Sequence, residues 1–165
     1  MKKFFSIGGV VLFAGALTLL SLAWINPERP RIVSCSSTMT EIVYELGGGE
    51  QMAGATSFCF FPEQVVEDKK SGRVAVVGDF IHIDYKAVEA LKPDVILTDT
   101  NMQRKHADSL RARGFKVLHF EPDHLEDVHS CIQEIGKAIG REENAAAMVQ
   151  HMRQEFAAIR QVSEK

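Results

Sequence analysis

The sequence predicts a three-layer α/β lobe with a mostly parallel sheet, followed by a long C-terminal backbone helix. Three observations predict it. Short β-branched runs alternate with segments of helical period from residue 31 onward. Capping residues, glycines and prolines fall at the joints between these segments. The last stretch, 142–162, contains neither proline nor glycine and carries Met148, Val149, Met152, Phe156 and Ile159 on one stripe.

After the linker Asn26-Pro27-Glu28-Arg29-Pro30, residues 31–34 read as the first strand. Thr38-Met39-Thr40-Glu41 has the form of a capping box, opening a helix whose Met39, Ile42, Val43 and Leu46 share a face. Gly47-Gly48-Gly49 stops that helix; a phosphate loop would need its glycines ahead of a helix. Residues 52–56 form a second strand, 62–68 a short helix and 74–77 a third extended run, with Lys69-Lys70-Ser71-Gly72 as the solvated turn before it. Asp84 caps a helix containing Val88 and Leu91, which ends before Pro93 because a residue preceding proline is driven out of the helical region. Residues 94–98 are the fourth strand, 101–113 a helix stopped by Gly114, and 116–120 the last strand. Leu125, Val128, Ile132, Ile135 and Ile139 keep helical spacing until Gly140. The chain thus divides into a leader or anchor (1–25), an α/β lobe (26–140) and the long helix (141–165).

The chain has 165 residues, 45% apolar and 25% charged, with a net charge of −3. That is a globular composition, and its mildly acidic balance excludes a nucleic-acid partner, which calls for a basic stripe. Met1-Lys2-Lys3 followed by an uncharged run from Phe4 to Ile25, with Ser21-Leu22-Ala23 near its end, has the form of an export leader or, uncleaved, of a membrane anchor. Either form places the lobe in the periplasm or on the outer face of the inner membrane.

In parallel sheets the ligand lies beyond the carboxyl ends of the strands. The residues that follow the strands are therefore the candidates: Ser36 and Ser37 after the first, Phe58, Cys59, Phe60 and Phe61 after the second, Phe80 after the third, Asn101 after the fourth. The phenylalanines suit an apolar wall for a large, flat ligand, or else core filling, although neighbours on one loop cannot all point inward. Cys35, Cys59 and Cys131 make no CxxC pair; Cys131 falls on an apolar helix face, which leaves Cys35 with Cys59 as the disulfide to test. The histidines His82, His106, His119, His124, His129 and His151 lack zinc spacing and read as surface or capping residues, with a soft-metal or haem site of His82 and a cysteine as the alternative. No GxSxG elbow surrounds Ser36 or Ser37, and the reading calls for no catalytic residue, resident metal or cofactor.

Arg31-Ile32-Val33-Ser34, Thr40-Glu41-Ile42-Val43-Tyr44-Glu45-Leu46-Gly47, Gly54-Ala55-Thr56-Ser57-Phe58-Cys59 to Pro62, and Ala90-Leu91-Lys92-Pro93-Asp94-Val95-Ile96 follow one another in a recognisable order. Gln103-Arg104, Leu125-Glu126-Asp127-Val128 and Gly140-Arg141-Glu142-Glu143 continue it. In this the chain resembles the cobalamin-binding branch of the helical-backbone substrate-binding proteins of ABC importers. The resemblance implies a non-enzymatic solute-binding protein for import of cobalamin or a similar large metal chelate. It implies two α/β lobes joined by one long helix, of which this sequence covers the first lobe and the helix, the second lobe being absent from it. Its implied partners are the chelate, an importer permease, and a second lobe or a second copy. Phe58 and Phe80 take the positions of the family's ligand wall; Cys59-Phe60-Phe61-Pro62 departs from the family's Cys-Asp-Tyr-Pro. Family members dock on arginines of the permease through a glutamate, and Lys86 stands at its position with Asp84 and Glu89 nearby. The alternatives are a haem or siderophore binder, or a membrane-anchored single-lobe interaction or regulatory protein.

Expressed with its leader, the chain should carry a reporter fused after Lys165 across the inner membrane. A reporter active only in the cytoplasm should stay silent, and a clear signal from it would rule export out.

Overall fold

Parallel neighbours cannot be joined by a tight turn, so the chain must return across the sheet after each strand, and it does so by helices. The computed structural model describes residues 29–163. Strands β1 (Ile32–Ser34), β2 (Met52–Ala55), β3 (Ala75–Val76), β4 (Val95–Asp99) and β5 (Val117–Phe120) form one sheet in the order β3-β2-β1-β4-β5, each pairing parallel. The connecting helices are α1 (Ser37–Glu45), α2 (Glu63–Lys70), α3 (Tyr85–Leu91) and α4 (Thr100–Ala112), and α5 (Leu125–Ile139) and α6 (Glu142–Ser163) close the chain. The strand order reverses between β1 and β4, the switch point at which such sheets open a crevice. The leader region 1–25 lies outside the described residues.

Both faces of the sheet are covered, so its strands read as continuous apolar runs. Ile32, Met52, Val95 and Leu97 pack against Met39, Val43 and Leu46 of α1, Val65 of α2 and Ile132, Ile135 and Ile139 of α5. Val33, Ile96 and Val117 face the other way, onto Val88 of α3 and Ala107 and Leu110 of α4. The three-layer lobe is therefore α1, α2, α5 and α6 on one side, α3 and α4 on the other.

Local chemistry places the ends. Asp84 accepts from the Lys86 and Ala87 amides at 3.0 and 3.1 Å and opens α3 as the sequence indicates. Lys92 takes a left-handed φ of 47° and ends α3 ahead of Pro93; Gly140, at φ 68°, ends α5. The start of α1 differs from expectation. Its cap is Ser36, whose Oγ accepts from the Met39 amide at 3.2 Å, and Thr38 is already the second residue of the helix. The Lys69-Lys70 turn is also displaced, because both lysines belong to the last turn of α2. The chain adds a 3-10 turn at Gly49–Gln51 between α1 and β2.

α6 meets α5 closely: a Cβ on Gly136 would lie 2.4 Å from the Ala145 Cβ, so only glycine permits the contact. Ala145 and Val149 are buried, and Met148 and Met152 are partly covered against the core. Phe156, Ile159 and Val162 continue the helix in the open, 47%, 61% and 76% exposed. The stripe read from the sequence is thus covered by the lobe over its first half.

Leu110 and Ile135 are fully buried on opposite faces of the sheet. Leu110→Ala and Ile135→Ala should each cost about 2–5 kcal/mol in urea denaturation. A cost near zero at either position would mean that its layer is not part of the core.

Candidate functional site

The loops beyond β1 to β5 meet at one edge, and polar side chains bonded to their backbone hold them there. Gln103 of α4 is wholly buried. Its Nε2 donates to the Cys35 carbonyl at 2.8 Å and the Phe80 carbonyl at 2.9 Å, and its Oε1 accepts from the Asp99 amide at 3.1 Å. One carboxamide thereby ties the loops after β1, β3 and β4. Lys69 does the same for the loop after β2: its Nζ donates to the carbonyls of Thr56, Ser57 and Cys59 at 3.2, 3.3 and 2.6 Å. The sequence places Gln103 in the segment after the fourth strand and in a family-like stretch but gives it no role, and it reads Lys69 only as part of a solvated turn. A glutamine inside an amphipathic helix and a lysine beside another lysine look like solvent-facing residues until the tertiary contacts are known.

On one side of this edge the loop after β2 presents Phe58, Phe60 and Phe61, 53%, 66% and 62% exposed. Phe58 and Phe60 stack edge to face with centroids 6.1 Å apart, and the Lys69 ammonium lies 5.5 Å from the Phe60 centroid. Ile81, also exposed, extends the apolar rim from the loop after β3, and Phe80 beside it is half-buried. That loop is a tight return. Asp79 Oδ1 accepts from the Ile81 and His82 amides at 2.7 and 2.6 Å, which holds its carboxyl below the usual carboxylate range. A Cβ on Gly78, at φ 115°, would strike the His82 carbonyl at 2.1 Å. Aromatic side chains that do not turn inward, on loops pinned by buried bonds, can form a preformed contact surface.

On the other side, at the β1–β4 switch point, Thr38, Met39, Asp99, Thr100, Asn101, Arg104, Glu121 and Asp123 line a cleft of about 590 Å³. Asp99 is buried; its Oδ2 accepts from the Ser36 hydroxyl at 2.7 Å, and burial pushes its carboxyl above the usual range. Thr100 has a left-handed φ of 61°, strained for a β-branched residue. Glu121 pairs with Arg104 and with His119 Nε2 at 2.8 Å, and the Arg104 guanidinium beside it holds its carboxyl below the ordinary value.

Among the residues expected from sequence, Asn101 lines the cleft, Ser37 opens α1 half-buried, and Ser36 and Cys59 are interior. Ser36 therefore acts on the cleft through Asp99. Cys59 Sγ lies 3.3 Å from the hydroxyls of both Thr40 and Thr56 and anchors the aromatic loop from beneath. Cys35 and Cys59 are free thiols, so the disulfide considered from sequence is not formed; burial pushes Cys35 up to about 12. A soft-metal site of His82 with either cysteine does not form either, since the His82 side chain is 84% exposed beside Asp79 and both thiols are fully enclosed. The expectation that the histidines lie on the surface or cap helices fails for three of them. His129 is buried with both ring nitrogens unpartnered, His106 bridges the Tyr85 hydroxyl and the Ile81 carbonyl at 2.6 and 2.8 Å, and the His119 side chain, 9% exposed on β5, lies between the Thr98 hydroxyl at 2.9 Å and Glu121 at 2.8 Å. On α3, Lys86 is exposed, Asp84 is engaged as the cap, and Glu89 pairs with Arg113 at 2.9 Å.

Comparison with known proteins agrees with this architecture. A family model described as periplasmic binding protein matches residues 32–165. An uncharacterised ABC transporter substrate-binding lipoprotein of Bacillus subtilis, YvrC, is 30% identical over 141 residues, covering 83% of this chain and 43% of its own length. The periplasmic vitamin B12 binding protein BtuF of Vibrio cholerae superposes with a TM-score of 0.71 at 22% identity over 81% of this chain and 50% of that one. A periplasmic heme binding protein of Pseudomonas aeruginosa gives 0.68 at 23% identity, over 79% and 45%. These structural likenesses show the fold. The chain spans about half the length of the curated relatives it matches.

With all three cysteines buried as thiols, a thiol reagent at pH 8 should leave the folded protein unlabelled over minutes and label each cysteine after denaturation. A cysteine pair that stays blocked until reductant is added would contradict this arrangement.

Proposed function

The chain belongs to the periplasmic binding protein family, and on that premise we propose that it is the first ligand-binding lobe of an extracytoplasmic solute-binding protein serving an ABC importer. Its ligand is a large metal chelate of the cobalamin type, with haem or a ferric siderophore as the alternative. The observation that carries this reading is the aromatic rim: Phe58, Phe60 and Phe61 stand more than half exposed at the carboxyl edge of the sheet, where binding crevices of open α/β folds lie. Single exposed apolar residues need no explanation, but a contiguous group beside a polar cleft marks a contact surface. The rim suits a flat, partly apolar ligand face, and the polar groups of the cleft suit its periphery.

The α3 surface around Asp84, Lys86 and Glu89 is the proposed contact with the importer permease. All three side chains are exposed there, so the surface offers one lysine between two carboxylates, with the lysine at the position where the family presents a glutamate to permease arginines. The open end of α6, with Phe156, Ile159 and Val162, supports a further partner, either the second lobe that the family resemblance implies or a second copy. The leader-like sequence and the family support a location in the periplasm or at the outer face of the inner membrane.

Absorbance titration of the purified chain with vitamin B12 and with haemin tests the chelate reading. Phe58→Ala and Phe60→Ala should each weaken binding about tenfold, since covering a phenylalanine contributes on the order of 1.5–3 kcal/mol. The urea midpoint should stay close to that of the parent. Loss of stability comparable to Leu110→Ala would make the phenylalanines structural, and absence of any spectral change with either chelate would overturn the reading.

A further inference from the structure

The cleft at the switch point contains two unmet demands of opposite kind. Asp99 is 8% exposed, and while its Oδ2 is held by Ser36, its Oδ1 has no hydrogen-bond partner. The neighbouring Thr100 Oγ1 is likewise buried and unpartnered, on a residue held at a strained left-handed φ. A desolvated carboxylate oxygen without a donor is costly, so it calls for an N–H or O–H from outside the chain. The second demand comes from α4. Asp99 is its N-cap residue, yet its side chain makes no capping bond because it turns to Ser36. The first amides of α4 are thus left without a side-chain acceptor, at the positive end of the helix dipole.

A carboxylate would satisfy the helix amides but would meet Asp99, Glu121 and Asp123, three acids against the single guanidinium of Arg104. An ammonium would satisfy Asp99 but oppose the helix terminus. A primary carboxamide carries a donor and an acceptor on one neutral planar group and meets both demands. From this geometry we propose that the cleft formed by Asp99, Thr100 and the start of α4 is a subsite for a primary carboxamide of the ligand, its NH2 donating to Asp99 Oδ1 and its carbonyl accepting from α4 amides.

This inference rests on the chelate-binding reading and narrows it: the favoured ligand has a neutral, amide-bearing rim, and one with a carboxylate rim is disfavoured. Vitamin B12 carries peripheral carboxamides, its acid-hydrolysed derivatives carry carboxylates in their place, and haem carries two carboxylates. These three differ in the rim chemistry that the subsite would discriminate, and they are the probes.

The test is titration of the full chain, labelled with nitrogen-15, with vitamin B12, acid-hydrolysed vitamin B12 and haemin, following backbone amide shifts. Vitamin B12 should shift the Thr100 and Asn101 amides as well as the 58–61 loop and bind about tenfold or more tightly than its hydrolysed form. Asp99→Asn, which replaces the free acceptor by a donor, should reduce that preference to about threefold or less. Equal binding of the amide and acid forms by the parent chain overturns the subsite while leaving the aromatic wall standing, and so do shifts confined to the 58–61 loop. No binding of any of the three chelates overturns both. Because the amide-to-acid comparison is made on the parent chain, the result does not depend on the variant folding.

Discussion

A sheet whose strands all run one way must send the chain back across its face after every strand, and this requirement decides where the lobe keeps its polar chemistry. Helices cover both faces, so apolar residues such as Val33, Ile96 and Leu97 fill the strand interiors, and neither face can hold a polar ligand. What remains is the edge at which strands end and helices begin. There the backbone leaves regular pairing, and its carbonyls and amides need other partners. Gln103 and Lys69 supply them from within, which makes the loops a fixed surface instead of a mobile fringe.

The same edge shows a division of labour. Apolar groups collect beyond β2 and β3, where the 58–61 loop is anchored by Cys59 and capped by Lys69. Charged groups collect beyond β4 and β5, where Arg104, Glu121 and His119 form a linked set with Thr98. Gln103 sits between the two, bonded to Phe80 on the apolar side and to Asp99 on the polar side. A displacement of one half is therefore felt by the other through a single side chain, which is the arrangement expected of one site with two chemistries.

Much of the fold was legible because local signals agreed with tertiary need. Asp84, Gly140, Pro93 and the α5 stripe each marked a boundary that the packing also requires. The exposure of Phe58, Phe60 and Phe61 was partly legible, since three aromatics on one short loop cannot all be buried. The supports of the site were not. Ser36 and Thr38 are both competent caps, and what selects Ser36 is Asp99, 63 residues further along the chain. Lys69 and Gln103 act through bonds to distant backbone carbonyls, which leave no periodic trace in sequence. Thr100 gives no hint of its left-handed backbone, because that conformation is imposed by the turn from β4 into α4.

The separation of the pinned edge from the apolar layers has a consequence for how such a lobe can diversify. Lys69 and Gln103 hold the loops by backbone groups, the carbonyls of Thr56, Ser57, Cys59, Cys35 and Phe80, and those bonds do not depend on which side chains the loops turn outward. Phenylalanine at position 58 could become tyrosine, or asparagine at 101 become serine, while the pins and both apolar layers stay as they are. The lobe works as a socket with interchangeable facings, so new ligand preferences can be sampled by substitutions that leave folding nearly untouched. The positions closed to such change are the inward ones, where a substitution alters the frame on which every facing is mounted.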